Sequence, residues 1–393
     1  MKKILFNKIL KKLRKYFGKD LKGHALGRVK KLAALICGIL RKKKPHLSAI
    51  GTGIQQPQTA HSQEKAAKLF LENKWVDYEA FYLPYISELL TQILSLLPQD
   101  AKVKFVIDGS KMGKNHMALM ISLVYQNRGI PLIWLVREKP KGHFDRLTHL
   151  DLVEQFKELI DPILANQPTQ RSIVLLGDGE FDSIELQQFC QNNEWYYVFR
   201  TACDTVLYEN GSRFQPKELN IKDIKESFAT TLLDDRTIQQ HQQDFLFIPN
   251  VEFTEKKYQK VNFVYWHNEK YQDALPLVSN LEEPIDIIQA YARRYSIECL
   301  FKDLKSTSFN IHKTRLKKCH AISNLIMVAA FAFSLLLKLA LAYQNQPIRK
   351  FIHRIRIDRP VCTLFKFGLE LIEYFLDQGI DFNFSFQFSK NSS

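Results

Sequence analysis

Apolar and polar positions change their period twice along the chain, and the changes divide it. From residue 2 to residue 40, apolar and basic residues recur at helical spacing, which predicts amphipathic helices with cationic faces. A polar stretch follows over 48–60, with Gly51, Gly53 and Pro57. Helical spacing then predicts a helix from Ser62, its cap, to about residue 73, and a second over 78–97. After Pro98 the period becomes two or the apolar run continuous. Residues 103–107, 118–125 and 130–136 read as strands, the last two joined by Gln126-Asn127-Arg128-Gly129 with a positive φ expected at the glycine. A helix over 151–164, a strand over 172–176, a helix over 183–193 and a strand over 195–200 complete the order expected of a mixed α/β sheet.

Between residues 203 and 281 the character is β-rich. Asn210-Gly211 marks a hairpin, and 244–248, 261–266 and 275–279 read as strands. Helix resumes over 284–305, and 319–393 looks helical with a Phe-rich end. The expected organisation is a helical, basic DNA-binding region (1–97), the first part of an α/β core (98–202), a β-rich insertion (203–282), the helix that completes the core (283–318) and a helical C-terminal region (319–393).

Composition narrows the classes. The 393 residues, 46% apolar and 25% charged, exclude a disordered tail, a disulfide miniprotein and a fibrous repeat. The net charge of +15 is unevenly placed: residues 1–46 hold 16 basic residues and one acid, Asp20, while the remaining 40 of each sign cancel. A cationic N-terminal arm on a neutral body would attract phosphate. Six cysteines (Cys37, Cys190, Cys203, Cys299, Cys319, Cys362) form no C-x-x-C pair, so neither a disulfide framework nor a zinc site is suggested and a reducing cytoplasm fits best. Basic residues interrupt the early apolar runs, so no signal-peptide core forms. The most hydrophobic stretch, 325–343, contains Ser334 and Lys338 and has no companion, so a buried helix is expected there and no membrane role.

Three carboxylates carry the candidate chemistry. Asp108 and Asp178 each follow a short apolar strand and precede a glycine, in Val-Ile-Asp-Gly-Ser and Gly-Asp-Gly-Glu. Loops beyond strand C-termini form the ligand crevice of open α/β sheets, and paired carboxylates there suit a hard divalent cation. Glu180 and Asp182 share the turn of Asp178 and are its rivals; each of these aspartates could also simply cap a turn. On the helix over 284–305, Tyr291, Arg294, Glu298 and Lys305 fall at roughly 0°, 300°, 340° and 320°, one stripe beside an apolar face of Ile297, Leu300, Phe301 and Leu304. Arg294 and Glu298 alone would be an ordinary i, i+4 ion pair.

Tyr291, Arg294, Glu298 and Lys305 at this spacing, with the runs around Asp108 and Asp178, resemble the Y-R-E-K signature of DDE transposases of bacterial insertion sequences, the cut-and-paste branch with a β-strand insertion. The resemblance covers about residues 45–320. It implies an RNase H-like core interrupted by the insertion before the Glu-bearing helix. It also implies Asp108, Asp178 and Glu298 as a catalytic, metal-binding triad for two Mg²⁺ ions, with Mn²⁺ able to substitute. Tyr291, Arg294 and Lys305 would contact DNA phosphates. The implied partners are the double-stranded inverted-repeat ends and target DNA, met by a homodimer in the synaptic complex. Some relatives stack a flipped base on a tryptophan in the insertion; the nearest here is Trp266, with Tyr271 as a substitute, and a packed strand aromatic is the simpler reading. An RNase H-like nuclease without strand transfer and a noncatalytic DNA-binding descendant are the alternatives.

Overall fold

The computed structural model describes residues 2–18, 20–54, 59–220, 222, 224, 226–233, 238–268, 273–307, 309–352 and 363–384. Pro57, Tyr271 and Cys362, and residues 353–362 and 385–393 of the expected C-terminal helical region, lie outside the described residues.

Among the described residues eleven strands form one mixed sheet. A meander of β1 (Val103–Lys111), β2 (His116–Tyr125) and β3 (Arg128–Glu138) runs antiparallel at one edge. On its other side β1 pairs in parallel with β4 (Ile173–Gly177), and β4 with β5 (Tyr196–Arg200). Parallel neighbours need a crossover, supplied by helix α6 (Arg146–Ala165) before β4 and α7 (Ile184–Asn192) after it. Their N-termini are capped by the side chains of Asp145 and Ser183, which accept from Thr148 N and Leu186 N. β4 is buried along its whole length, as expected of a strand covered on both faces.

The sheet then continues as antiparallel ribbons. β5 pairs with β11 (Leu275–Ser279), β11 with β10 (Tyr258–Asn268), and β10 with β9 (Ile238–Phe253). β9 also carries β8 (Glu226–Leu233) and the hairpin of β6 (Leu207–Glu209) and β7 (Ser212–Phe214). The β6–β7 turn, Asn210-Gly211, has φ of 50° and 84°, as the sequence expects. The chain therefore leaves the core at β5 and returns at β11 beside it, with Leu277 opposite Arg200.

Helices cover the meander. α1 (Lys2–Phe17), α2 (Gly23–Lys42), α3 (Leu47–Ile50), α4 (Ala60–Leu71) and α5 (Leu83–Leu94) come first; α8 (Pro284–Tyr291), α9 (Tyr295–Lys302), α10 (Cys319–Tyr343), α11 (Arg349–Ile352) and α12 (Leu364–Asp377) come last. α10 is the 325–343 stretch, long and apolar enough to cross a membrane by composition, with mean hydropathy 2.4. It is instead packed inside the protein against α2, α12 and β3. Its Phe331 meets Tyr85 at 4.8 Å and Tyr82 at 5.2 Å, and Lys338 Nζ lies 4.7 Å from the Tyr85 ring. Burial holds the Lys338 amine well below the ordinary lysine range.

Several local expectations change. α1 and α2 are amphipathic helices as predicted, but they are not a detached arm: Leu5, Ile9, Leu13, Leu32 and Ile36 are buried in the common core. A side-chain carbon on Gly53 would fall 1.6 Å from the Ala34 carbonyl oxygen, so α2 lies backbone against backbone on the turn after α3. Thr59, not Ser62, caps α4, accepting from Ser62 N. In the β2–β3 hairpin the positive φ values fall on Gln126 and Asn127 (46° and 59°), not on Gly129, which is already in β3. The helix over 284–305 is broken into α8, a short 3-10 turn at Ala292–Arg294, α9 and a π turn at Asp303–Thr307.

Candidate active site

Register brings the first two acids together. β1 and β4 pair in parallel up to Val106 opposite Leu176. Asp108 and Asp178 each stand two residues beyond that pair, so alternation places both side chains on the same side of neighbouring strands. The sequence predicts that the strand ends at Asp108; instead β1 continues along β2, with Asp108 opposite Met120, as far as Lys111 opposite Met117. β4 stops at Gly177, and its absence beyond that point opens the crevice.

The third acid arrives on α9, which packs on β3 and β1. Ile297, Leu300, Phe301 and Leu304 are buried as the sequence predicts. Gly129 makes the approach possible, because a side-chain carbon there would meet the Ser296 carbonyl oxygen at 2.9 Å. Arg293 donates to the Asn127 side chain at the hairpin tip and fixes the start of the helix. The hairpin turn is thus the seat for the helix that carries Glu298.

At the crevice Arg294 is the counter-charge. Its guanidinium lies 3.7 Å from Asp108 Oδ2, donates to Glu298 Oε1, and stands 5.7 Å from the centre of the Tyr291 ring. The breaks at both ends of α9 leave Tyr291, Arg294 and Glu298 adjacent, so the predicted stripe survives in part by a different route. Lys305, in the π turn, stacks its amine 5.6 Å from the Phe301 ring and feels the charge of Asp108.

Charge and burial act strongly here. Burial, and next the charge of Asp178, push the Asp108 carboxyl up to about 7, against the pull of Arg294 and of Gly109 N–H, which donates to Oδ1 at 2.7 Å. Glu298 adds to the rise. Burial works to lower the Arg294 guanidinium, but Tyr291, Glu298, Asp108 and Asp178 outweigh it and raise it. Burial pushes the Tyr291 phenol up to about 12, so it stays protonated and can donate. Burial lowers the Lys305 amine, opposed by Asp108. The charges of Asp178 and Glu298 therefore both reach Asp108, and carboxylate oxygens are the donor type a hard divalent cation takes. Among the described residues no three His, Cys, Asp or Glu side chains draw close enough to enclose an ion.

The rivals of Asp178 have other partners. Glu180 accepts from Phe144 N–H and lies 2.8 Å from His143 Nδ1 and 3.2 Å from His149 Nε2. Asp182 accepts from the Thr201 hydroxyl at 2.6 Å. Among the described residues Asp178 accepts a local bond from Glu180 N–H at 3.0 Å, and its charge acts on Asp108. Glu180 is better read as the clamp that ties the loop between β3 and α6 to the Asp178 turn. Sequence reasoning missed that role; His143 and His149, six residues apart across a loop, carry no local pattern. Trp266 is packed rather than poised: it is buried, donates to Gln243 at 2.8 Å and meets Tyr291 edge to face at 6.4 Å.

The transposase DDE domain family matches residues 99–335, more than half of the chain and a span that includes the six candidate positions. The chain belongs to the DDE transposase family. No curated protein sequence matches this transposase-family chain. Among solved structures, the Argonaute of Marinitoga piezophila, determined with a 5′-OH guide RNA and target DNA, matches at 13% identity and a TM-score of 0.24. That match covers 63% of the transposase-family chain and 34% of the Argonaute, so the chain spans about a third of that protein's length. A likeness of that degree carries no argument.

Proposed function

We propose that the protein is an active cut-and-paste transposase of the Y-R-E-K branch, with an RNase H-like core and a β-rich insertion at 203–282, working on DNA in the cytoplasm. What supports the reading is Arg294, which lies 3.7 Å from the buried Asp108, donates to Glu298 and stands beside Tyr291, together with the charges of Asp178 and Glu298 acting on Asp108 and that of Asp108 acting on Lys305. Its substrates would be the double-stranded inverted-repeat ends of its own element and then target DNA. A homodimer would hold two ends, each protomer cutting one.

Asp108, Asp178 and Glu298 would hold two Mg²⁺ ions, with Mn²⁺ able to substitute. Such ions lower the pKa of water and polarise a phosphoryl oxygen. The remaining work belongs to the chain. Arg294 and Lys305 offer positive charge to the non-bridging oxygens of the scissile phosphate as negative charge builds there. The protonated Tyr291 hydroxyl donates beside them. The buried setting of Asp108 and Arg294 keeps the local dielectric low, which strengthens each of these contacts.

Glu298→Gln tests the assignment. The variant is expected to lose Mg²⁺-dependent nicking of end-containing duplex while retaining nearly all its DNA affinity. Nicking at the wild-type rate would overturn the reading.

A further inference from the structure

The segment that leaves the Glu298 helix is a row of cations. After the 3-10 turn at Ile311–Lys313 the backbone runs extended to α10, with Thr314 and Leu316 buried and Lys313, Arg315 and Lys317 exposed. Alternation in the extended stretch puts Arg315 and Lys317 on its outer side roughly 6 to 7 Å apart, with the exposed Lys313, the last residue of the 3-10 turn, just before them. That spacing is comparable with the step between successive phosphates along a DNA strand. Thr314 Oγ1 accepts from Leu316 N–H at 3.3 Å and helps hold the extended form.

Both ends of the row lead somewhere. At the near end His312 feels the charges of Lys313, Lys305 and Lys111, so the row joins Lys305, on which the charge of Asp108 acts, and Lys111, the last residue of β1. At the far end Arg315, Lys317 and Lys318 line an open groove of about 680 Å³ with His46 and Lys68. Two acids also line it, Glu64 and Glu72, and Glu72 pairs with Lys318 at 3.5 Å. Among the described residues Lys313, Arg315 and Lys317 have no ion-pair partner. Asn310 donates to the Lys43 carbonyl at 3.5 Å, which brings the basic run 41–44 to the same surface although it lies far away in the chain.

We propose that Lys313, Arg315 and Lys317 form a strap that grips the phosphate backbone of duplex DNA beyond the scissile phosphate and leads it toward the groove beside Lys68. The inference rests on the DNA-cleaving reading of Asp108, Asp178 and Glu298 and extends it to a second contact surface. Contacts of this kind are blind to base sequence and fix where the duplex lies. A mobile loop lysine is usually a solvated charge; here the buried Thr314 and Leu316 pin the cations in one direction.

The test uses the full chain with Arg315→Glu and Lys317→Glu together, beside wild type. Binding is measured over a salt series on two duplexes, one ending at the cleavage site and one extended by two helical turns. On the long duplex the variant is expected to lose affinity about tenfold or more, and its salt slope to fall by about 2. On the short duplex its affinity should match wild type, and its thermal midpoint should be unchanged. A variant that keeps the wild-type salt slope on the long duplex overturns the strap, even where wild type nicks normally. Loss on single-stranded RNA but not on duplex DNA would likewise overturn it. Failure of wild type to bind or nick any duplex would instead remove the underlying reading, so the two failures are distinct.

Discussion

Asp108→Asn should make the protein more stable while disabling it. The folded state holds the Asp108 proton more tightly than the unfolded chain, the carboxyl moving from 3.8 to about 7. At about 1.4 kcal/mol per pKa unit, ionising it in place costs on the order of 4 kcal/mol. That penalty is fully present above about pH 7 and vanishes as pH falls toward the unfolded value, so wild-type stability declines as pH rises between them. Asparagine removes the penalty but also removes a partner of Arg294, 3.7 Å away, so a net gain of roughly 1 to 3 kcal/mol is expected at about pH 8. In thermal unfolding with EDTA present, this appears as a midpoint a few degrees above wild type near pH 8, shrinking to nothing in mild acid. Added Mg²⁺ should raise the wild-type midpoint and leave the variant unmoved. Equal midpoints near pH 8, or a difference indifferent to pH, would refute the picture of a buried carboxyl crowded by like charge.

Gly129→Val should lower both stability, by at least about 2 kcal/mol, and cleavage, because its side chain would strike the Ser296 carbonyl that seats α9; chemical denaturation and a nicking assay read the two losses. Glu180→Ala should release the loop between β3 and α6 at a cost of about 1 to 3 kcal/mol, seen as faster limited proteolysis within 139–145. Lys338→Met should flatten a pH trend: the buried amine is held below its ordinary value of 10.5, so wild-type stability should rise as pH climbs toward that value, and denaturation midpoints at neutral and mildly alkaline pH should differ in wild type but not in the variant.

Strand and helix identities were legible in the sequence wherever period and burial agreed, as in β4 or the apolar face of Ile297, Leu300, Phe301 and Leu304. What escaped was set by contacts across the chain. Asp108 looked like a strand end because its apolar run stops there, yet pairing with β2 carries the strand on to Lys111. Gly129 looked like a turn residue, but its lack of a side chain serves the approach of α9. The helix over 284–305 read as continuous because a helical wheel cannot show where a backbone tightens or widens. The basic N-terminal helices read as an arm because their charge is visible in sequence, while the burial of Leu5, Ile9 and Leu13 comes from a core that α1 joins by packing on α2 and α5. Choosing Asp178 over Glu180 and Asp182 needed His143, His149 and Thr201 to be seen in place.

Because the polypeptide leaves the core after Arg200 and rejoins it with Leu277 paired to that same residue, the long ribbon excursion is closed at its base like a loop of thread drawn through one stitch. Extra length added at the far end of that ribbon need not displace the helix bearing Glu298. The excursion is therefore the natural place for lineages, or protein engineers, to append new recognition surface without retuning the chemistry.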